Sequence, residues 1–139
     1  MAGEFSDAGG LKALDAVTGR ATVSSATTYL ALLTAAPGDT TTPATMTEYG
    51  ATGYSRQTVT WTSPALNGSN VPESTNSGVL TFGPFTAGTG ATISHCALVT
   101  SASGTSGEIR AWWSLDTSRT PGTNDSLQFA ANALKLSVD

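Results

Sequence analysis

The chain has 139 residues, of which 39% are hydrophobic and only 12% charged, with a net charge of −4. That length gives one domain with a core that needs no staples. Six scattered basic residues argue against nucleic-acid binding through phosphates, and the single cysteine excludes an internal disulfide framework or a Cys-rich zinc site. No apolar run reaches the roughly 18 residues of a membrane helix, and MAGEFSDAGG at the start lacks the basic and apolar regions of a secretory signal.

The first element in chain order is a short helix over about Ala8–Thr18, capped by Ser6 or Asp7 and stopped by Gly19. Leu11, Leu14 and Val17 stand at i, i+3 and i+6 and give it one apolar face. That face either covers one end of the core or docks on a partner. Gly9 and Gly10 oppose the helix by propensity.

Thr27–Thr34 is a strand, apolar on both faces, and so predicted to be central and covered twice. Ala35–Gly53 is a long threonine-rich connection with Pro37 and Pro43. Its composition predicts little apolar burial, and its length makes it a surface loop or a contact element. Tyr54–Trp61 alternates, with Val59 and Trp61 predicted to point inward. Ser63–Ser77 reads as a turn-rich loop around the turn dipeptide Asn67-Gly68.

Gly78–Phe85 places Leu80 and Phe82 together, and Gly83-Pro84 marks an edge or a bulge. Thr92–Thr100 sets Ile93, His95, Ala97 and Val99 on one face and Cys96 and Leu98 on the other. After the Ser101–Gly107 loop, Glu108–Leu115 sets Ile109, Ala111, Trp113 and Leu115 together, with Arg110 and Trp112 opposite. The Asp116–Asn124 loop leads to Ser126–Phe129. A change of parity between Phe129 and Leu134 then predicts a turn or bulge at Ala130–Ala133. About seven or eight strands with one N-terminal helix and no helices between strands predict an all-β, antiparallel sandwich or barrel. Residues 1–20 form an arm and helix, and residues 21–139 a single β domain.

No catalytic constellation emerges, and the chain is expected not to be an enzyme. His95 and Cys96 are neighbours on a strand and point to opposite faces, so they cannot form a nucleophile pair. One histidine and one cysteine cannot make a zinc set, and no calcium loop, phosphate loop or dinucleotide fingerprint occurs. No metal or cofactor is expected. Trp112 and Trp113 must face opposite ways: with Trp113 in the core, Trp112 meets a second covered layer, a protein interface or a sugar. The low charge and Ser/Thr-rich surface suit a protein that packs against neighbours.

Three stretches carry a resemblance: Leu30–Pro37 (LALLTAAP), Gly53–Trp61 (GYSRQTVTW) and Phe129–Asp139 (FAANALKLSVD), following the SDAGGLKALDAVTGRAT segment. In their order and spacing the chain resembles a group of small bacteriophage virion proteins of the head-decoration and tail-fibre-like kind. The resemblance implies a jelly-roll-like β-sandwich and a homo-oligomer such as a trimer. It also implies a place on the outer surface of the phage particle, after synthesis in the host cytoplasm. The leading expectation is a capsid decoration protein that binds the assembled head lattice, with the major capsid protein and further copies of itself as partners. The alternative is a tail-fibre or tail-associated receptor-binding module that contacts host surface glycans. Nucleic acid and membrane are not expected partners. The partner-binding candidates are Phe5, Leu11, Leu14, Thr41, Thr42, Met46, Tyr49, Arg110 and Trp112.

Overall fold

The computed structural model describes residues 1–138. The chain is an antiparallel β-sandwich with one short helix. Strand β1 (Glu4–Phe5) leads into helix α1 (Asp7–Thr18), followed by β2 (Thr28–Leu33) and β3 (Gln57–Val59). Then come β4 (Ala65–Leu66), β5 (Pro72–Thr75), β6 (Leu80–Phe82), β7 (Ile93–Val99), β8 (Ile109–Arg119), β9 (Leu127–Phe129) and β10 (Lys135–Ser137). One sheet has the order β1-β8-β7-β2-β3; against it lie a β10-β5-β4 sheet and a β6-β9 pair.

Strand β2 is central and covered on both faces, as its apolar run predicts. Leu30 and Leu32 enter the main core with Phe82, Phe85, Trp113, Phe129 and Leu134. Ala31 and Leu33 turn to the other face, where they form a second cluster with Ala97, Val99 and Ile109. In the main core Trp113 is fully buried, and its indole N–H donates to the Lys135 carbonyl at 2.9 Å. Trp61 stacks on it at 6.0 Å, so the partly polar ring is both covered and satisfied.

The segment expected to bury little contributes to both clusters, with Tyr49 and Ala51 in the main core. Residues 35–53 fold back along β2: Thr34 N donates to Thr47 O and Tyr49 N to Leu32 O, at 2.9 and 2.8 Å. Pro37, Pro43, Tyr49 and Ala51 are buried, and Met46 packs on the outer cluster. Tyr49 meets Phe85 edge-on at 5.3 Å. Two prolines, one tyrosine and backbone pairing suffice, which a composition dominated by threonine conceals.

Strand boundaries differ from the alternation at several points. Only Gln57–Val59 of Tyr54–Trp61 joins the sheet, although Val59 is buried and Trp61 packs on the core as expected. The Ser63–Ser77 segment contains β4 and β5, joined through Asn67, whose side-chain carbonyl accepts from Ser69 N and Val71 N. These strands are too short and polar to show a period. Strand β8 runs on to Arg119, past the expected end at Leu115.

Two register breaks move residues to unexpected faces. Leu98 faces Ala111 but Val99 faces Ile109, so Arg110 is an extra, bulged residue. Ile109 therefore leaves the Trp113 face and joins the outer cluster. A second irregularity lies between Ile93 and His95, and Ile93 enters the main core, away from His95 and Ala97.

Residues 1–6 are built into the sandwich and do not stand outside it. Glu4 and Phe5 pair with Trp112 and Ala111 of β8. Gly3 N donates to Lys135 O at 2.8 Å, and the Met1 amino group donates to Ala133 O at 2.8 Å. The N-terminus thus stitches β8 to β10, across the two layers.

Candidate functional site

Helix α1 begins and ends where its caps predict. Ser6 accepts from Gly9 N at 3.1 Å, and its hydroxyl donates to the Ile109 carbonyl. Gly19 closes the helix in the left-handed region at φ 65°, where a Cβ is disfavoured. Further bonds from Ser6 N to Arg110 O (3.1 Å) and Asp7 N to Asp39 O (3.2 Å) fix the N-terminal end to the sandwich.

The face that packs inward is not the leucine face. Gly9 is buried and Ala13 half-buried. Leu11, Leu14 and Val17 are 64%, 62% and 85% exposed. The apolar stripe expected to cover the core or dock on a partner therefore leaves the core to the small side chains and faces away. The physical reason is the closeness of the helix to β8, which only small residues allow.

Between α1, the segment that follows it and the sheet lies an open groove of about 350 Å³. Phe5, Ala13, Val23, Trp61, Leu98 and Leu136 give it an apolar lining. Its charged residues are both basic, Lys12 and Arg110. Arg110 Nε is buried without a hydrogen-bond partner, and Glu108 lies 3.8 Å away. Phe5 and Arg110, two of the candidate residues, thus meet here, beside Leu11 and Leu14 on the outer side of the helix.

The other candidates lie elsewhere. Thr41 accepts from Gly38 N at 2.8 Å, and Thr42 caps a turn with Thr45. Both shape the 35–53 segment. Met46 and Trp112 are half-buried on the outer cluster, where Trp112 lies 5.8 Å from the His95 ring. Trp112 is on the outer face as expected, but Arg110 is not beside it, because of the bulge. Tyr49 is 1% exposed and offers a partner almost no surface.

A network that no spacing rule signals joins Glu48, Tyr54 and Arg56. Glu48 Oε1 accepts from Tyr54 Oη (2.7 Å) and Arg56 Nε (2.8 Å), and Oε2 accepts from an Arg56 terminal nitrogen (2.7 Å). The same guanidinium reaches the carbonyls of Ser101 and Gly104. All five of its donors are engaged, the fifth on Ser101 Oγ. Hydrogen bonding to Glu48 raises the Arg56 pKa, and burial, followed by Glu48, raises that of the Tyr54 phenol. A depression of about 450 Å³ beside it is lined by Tyr49, Tyr54, Ala102 and Ser103. With its donors satisfied, Arg56 clamps the 48–56 segment to the β7–β8 turn and has none left for a ligand.

His95 and Cys96 point to opposite faces. Cys96 is fully buried, and burial pushes its thiol up, away from the reactive thiolate. His95 bonds Ser94 Oγ through Nδ1 at 2.8 Å, and burial lowers its pKa. Among the described residues no group of three or more His, Cys, Asp or Glu is placed to hold a metal, and no helix is long and apolar enough to cross a membrane.

The fold and its surfaces define a β module packed on both sheet faces, with an apolar helix face and an apolar groove turned toward its surroundings. Residues 4–137 match the family described as Podophage GP4 fiber I protein gp80. The chain belongs to that family and is a virion-associated phage structural protein of the fibre-like kind. No curated protein matches it.

Proposed function

We propose that this chain is a fibre component of the tail apparatus, in the part of the particle that meets the host surface and its glycans. The observation that carries the reading is the family match over residues 4–137. The physics of the chain is compatible with it. A fibre needs stiff modules with few charges to hold copies apart, and here 12% of residues are charged and both sheet faces are packed. The other position, a decoration bound to the major capsid protein on the head, draws on the same low charge but has no observation of its own.

Electron microscopy of intact particles with a gold-labelled antibody to the chain tests this. Label confined to the tail fibres is the expected result. Label spread evenly over the head faces overturns the reading in favour of decoration.

A further inference from the structure

We infer that α1 is a self-assembly element, whose Leu11–Leu14–Val17 stripe seats in the apolar groove of a second copy of this chain. The proposal rests on surfaces of the chain itself and not on where it sits in the particle.

The stripe has no role in its own fold. Its three side chains are among the most exposed large hydrophobics, at 62–85%, and Val23 at 37% lies just beyond the helix. Single exposed leucines are ordinary, but a contiguous strip on an anchored helix marks a contact. The helix is anchored by hydrogen bonds through Ser6 and Asp7 and by the packing of Gly9 on β8. The stripe is therefore held in a fixed direction and presented, without being folded down.

The groove is the complement. It is apolar along Val23, Trp61, Leu98 and Leu136, and its charges are the cations Lys12 and Arg110, with no acid in the lining. Asp7 stands four residues before Leu11 and seven before Leu14, so it shares the stripe's face of the helix. When the stripe of one copy enters the groove of the next, Asp7 comes with it toward Lys12 and Arg110. Arg110, whose one acid within the chain is Glu108 at 3.8 Å with no hydrogen bond to Nε, then gains a second acid from the neighbouring copy.

A stripe-on-stripe contact is the weaker geometry. The helix is 12 residues long, under two heptads, and a seam that short does not hold two helices together unaided. Stripe and groove lie on different sides of one helix, so the contact is head-to-tail. Such contacts close into rings when the rotation permits.

The test uses the purified full-length chain. Light scattering on a sizing column should give a defined multiple of the 14.0 kDa chain mass. The Leu11→Glu/Leu14→Glu variant should fall to monomer with an unchanged circular dichroism spectrum. Arg110→Asp should weaken assembly, and Asp7→Arg in the same chain should restore it. Oxidation of Leu14→Cys in the presence of Ala26→Cys should cross-link copies through unlike positions; Cys96 is fully buried and does not compete. A wild-type chain that stays monomeric at every soluble concentration overturns the proposal. So does efficient cross-linking of Leu14→Cys alone, which would place stripe against stripe.

Discussion

A methyl group built on Gly9 would stand 1.9 Å from the carbonyl oxygen of Arg110. Helix α1 therefore lies on β8 at a separation that only glycine allows. At Gly10, one residue on, the same methyl group meets nothing within 4 Å. Propensity alone favours alanine over glycine by about 1 kcal/mol at either position. At Gly10 that term should win, so Gly10→Ala should raise stability by roughly 0.5–1 kcal/mol. At Gly9 the clash is with backbone and cannot be relieved by a side-chain rotation. Gly9→Ala should destabilise by about 1–3 kcal/mol. Urea unfolding of the two variants checks the opposite signs.

The Arg56–Glu48 pair should be costly to break. The Arg56 side chain is 2% exposed and that of Glu48 25%. Arg56→Met leaves Glu48 short of its cation and frees the carbonyls of Ser101 and Gly104. A loss on the order of 3 kcal/mol is expected, at the low end for buried pairs because Glu48 keeps some water. In a melt this is a fall of roughly 10 °C in Tm. Adding Glu48→Gln to the variant should recover part of it, since the uncompensated charge goes with the carboxylate.

Two groups set opposite pH limits. Burial lowers the His95 pKa, so the unfolded chain takes up that proton first as pH falls. The stability His95 contributes is present above about pH 6.5, its unfolded value, and is lost as pH drops through it toward the lower folded value. His95→Gln should flatten the fall in Tm between about pH 7 and 5. Tyr54 works at the other end, since burial and Glu48 keep its phenol protonated. Its contribution is complete below about pH 10 and declines as pH rises beyond the unfolded value. Tyr54→Phe should remove that alkaline slope and cost about 1–3 kcal/mol at neutral pH, because Leu32 N loses its acceptor.

Much of the fold was legible where burial imposes a period. Strand β2 reads as central from its unbroken apolar run, and the helix ends follow from Ser6 and Gly19. Cys96 and Trp113 are found inside, while His95 and Trp112 are outside, as alternation requires. The pattern fails where one residue breaks the register: Arg110 is an ordinary strand residue in composition, yet as a bulge it sends Ile109 to the other layer. Nor could periodicity tell which side of α1 is inside. Apolar spacing points to Leu11, Leu14 and Val17, but the contact distance on β8 selects Gly9 and Ala13. The Glu48–Arg56 pair lies in irregular chain, where no spacing rule links partners, and only the folded path brings them together.

The stitch between the two ends of the chain has a kinetic meaning. Met1 and Gly3 bond Ala133 and Lys135, and Glu4 pairs with Trp112. During synthesis the first strand emerges early, but its partners are made last. At ordinary elongation rates it waits on the order of ten seconds for Lys135. For most of that interval β8 does not yet exist, and the core beneath Trp113 stays open until Leu134 and Lys135 arrive. Contacts this distant in sequence also place spontaneous refolding toward the slow, millisecond-to-second end for small domains. The nascent chain is most vulnerable to mispairing with other copies before Leu134 and Lys135 have been made.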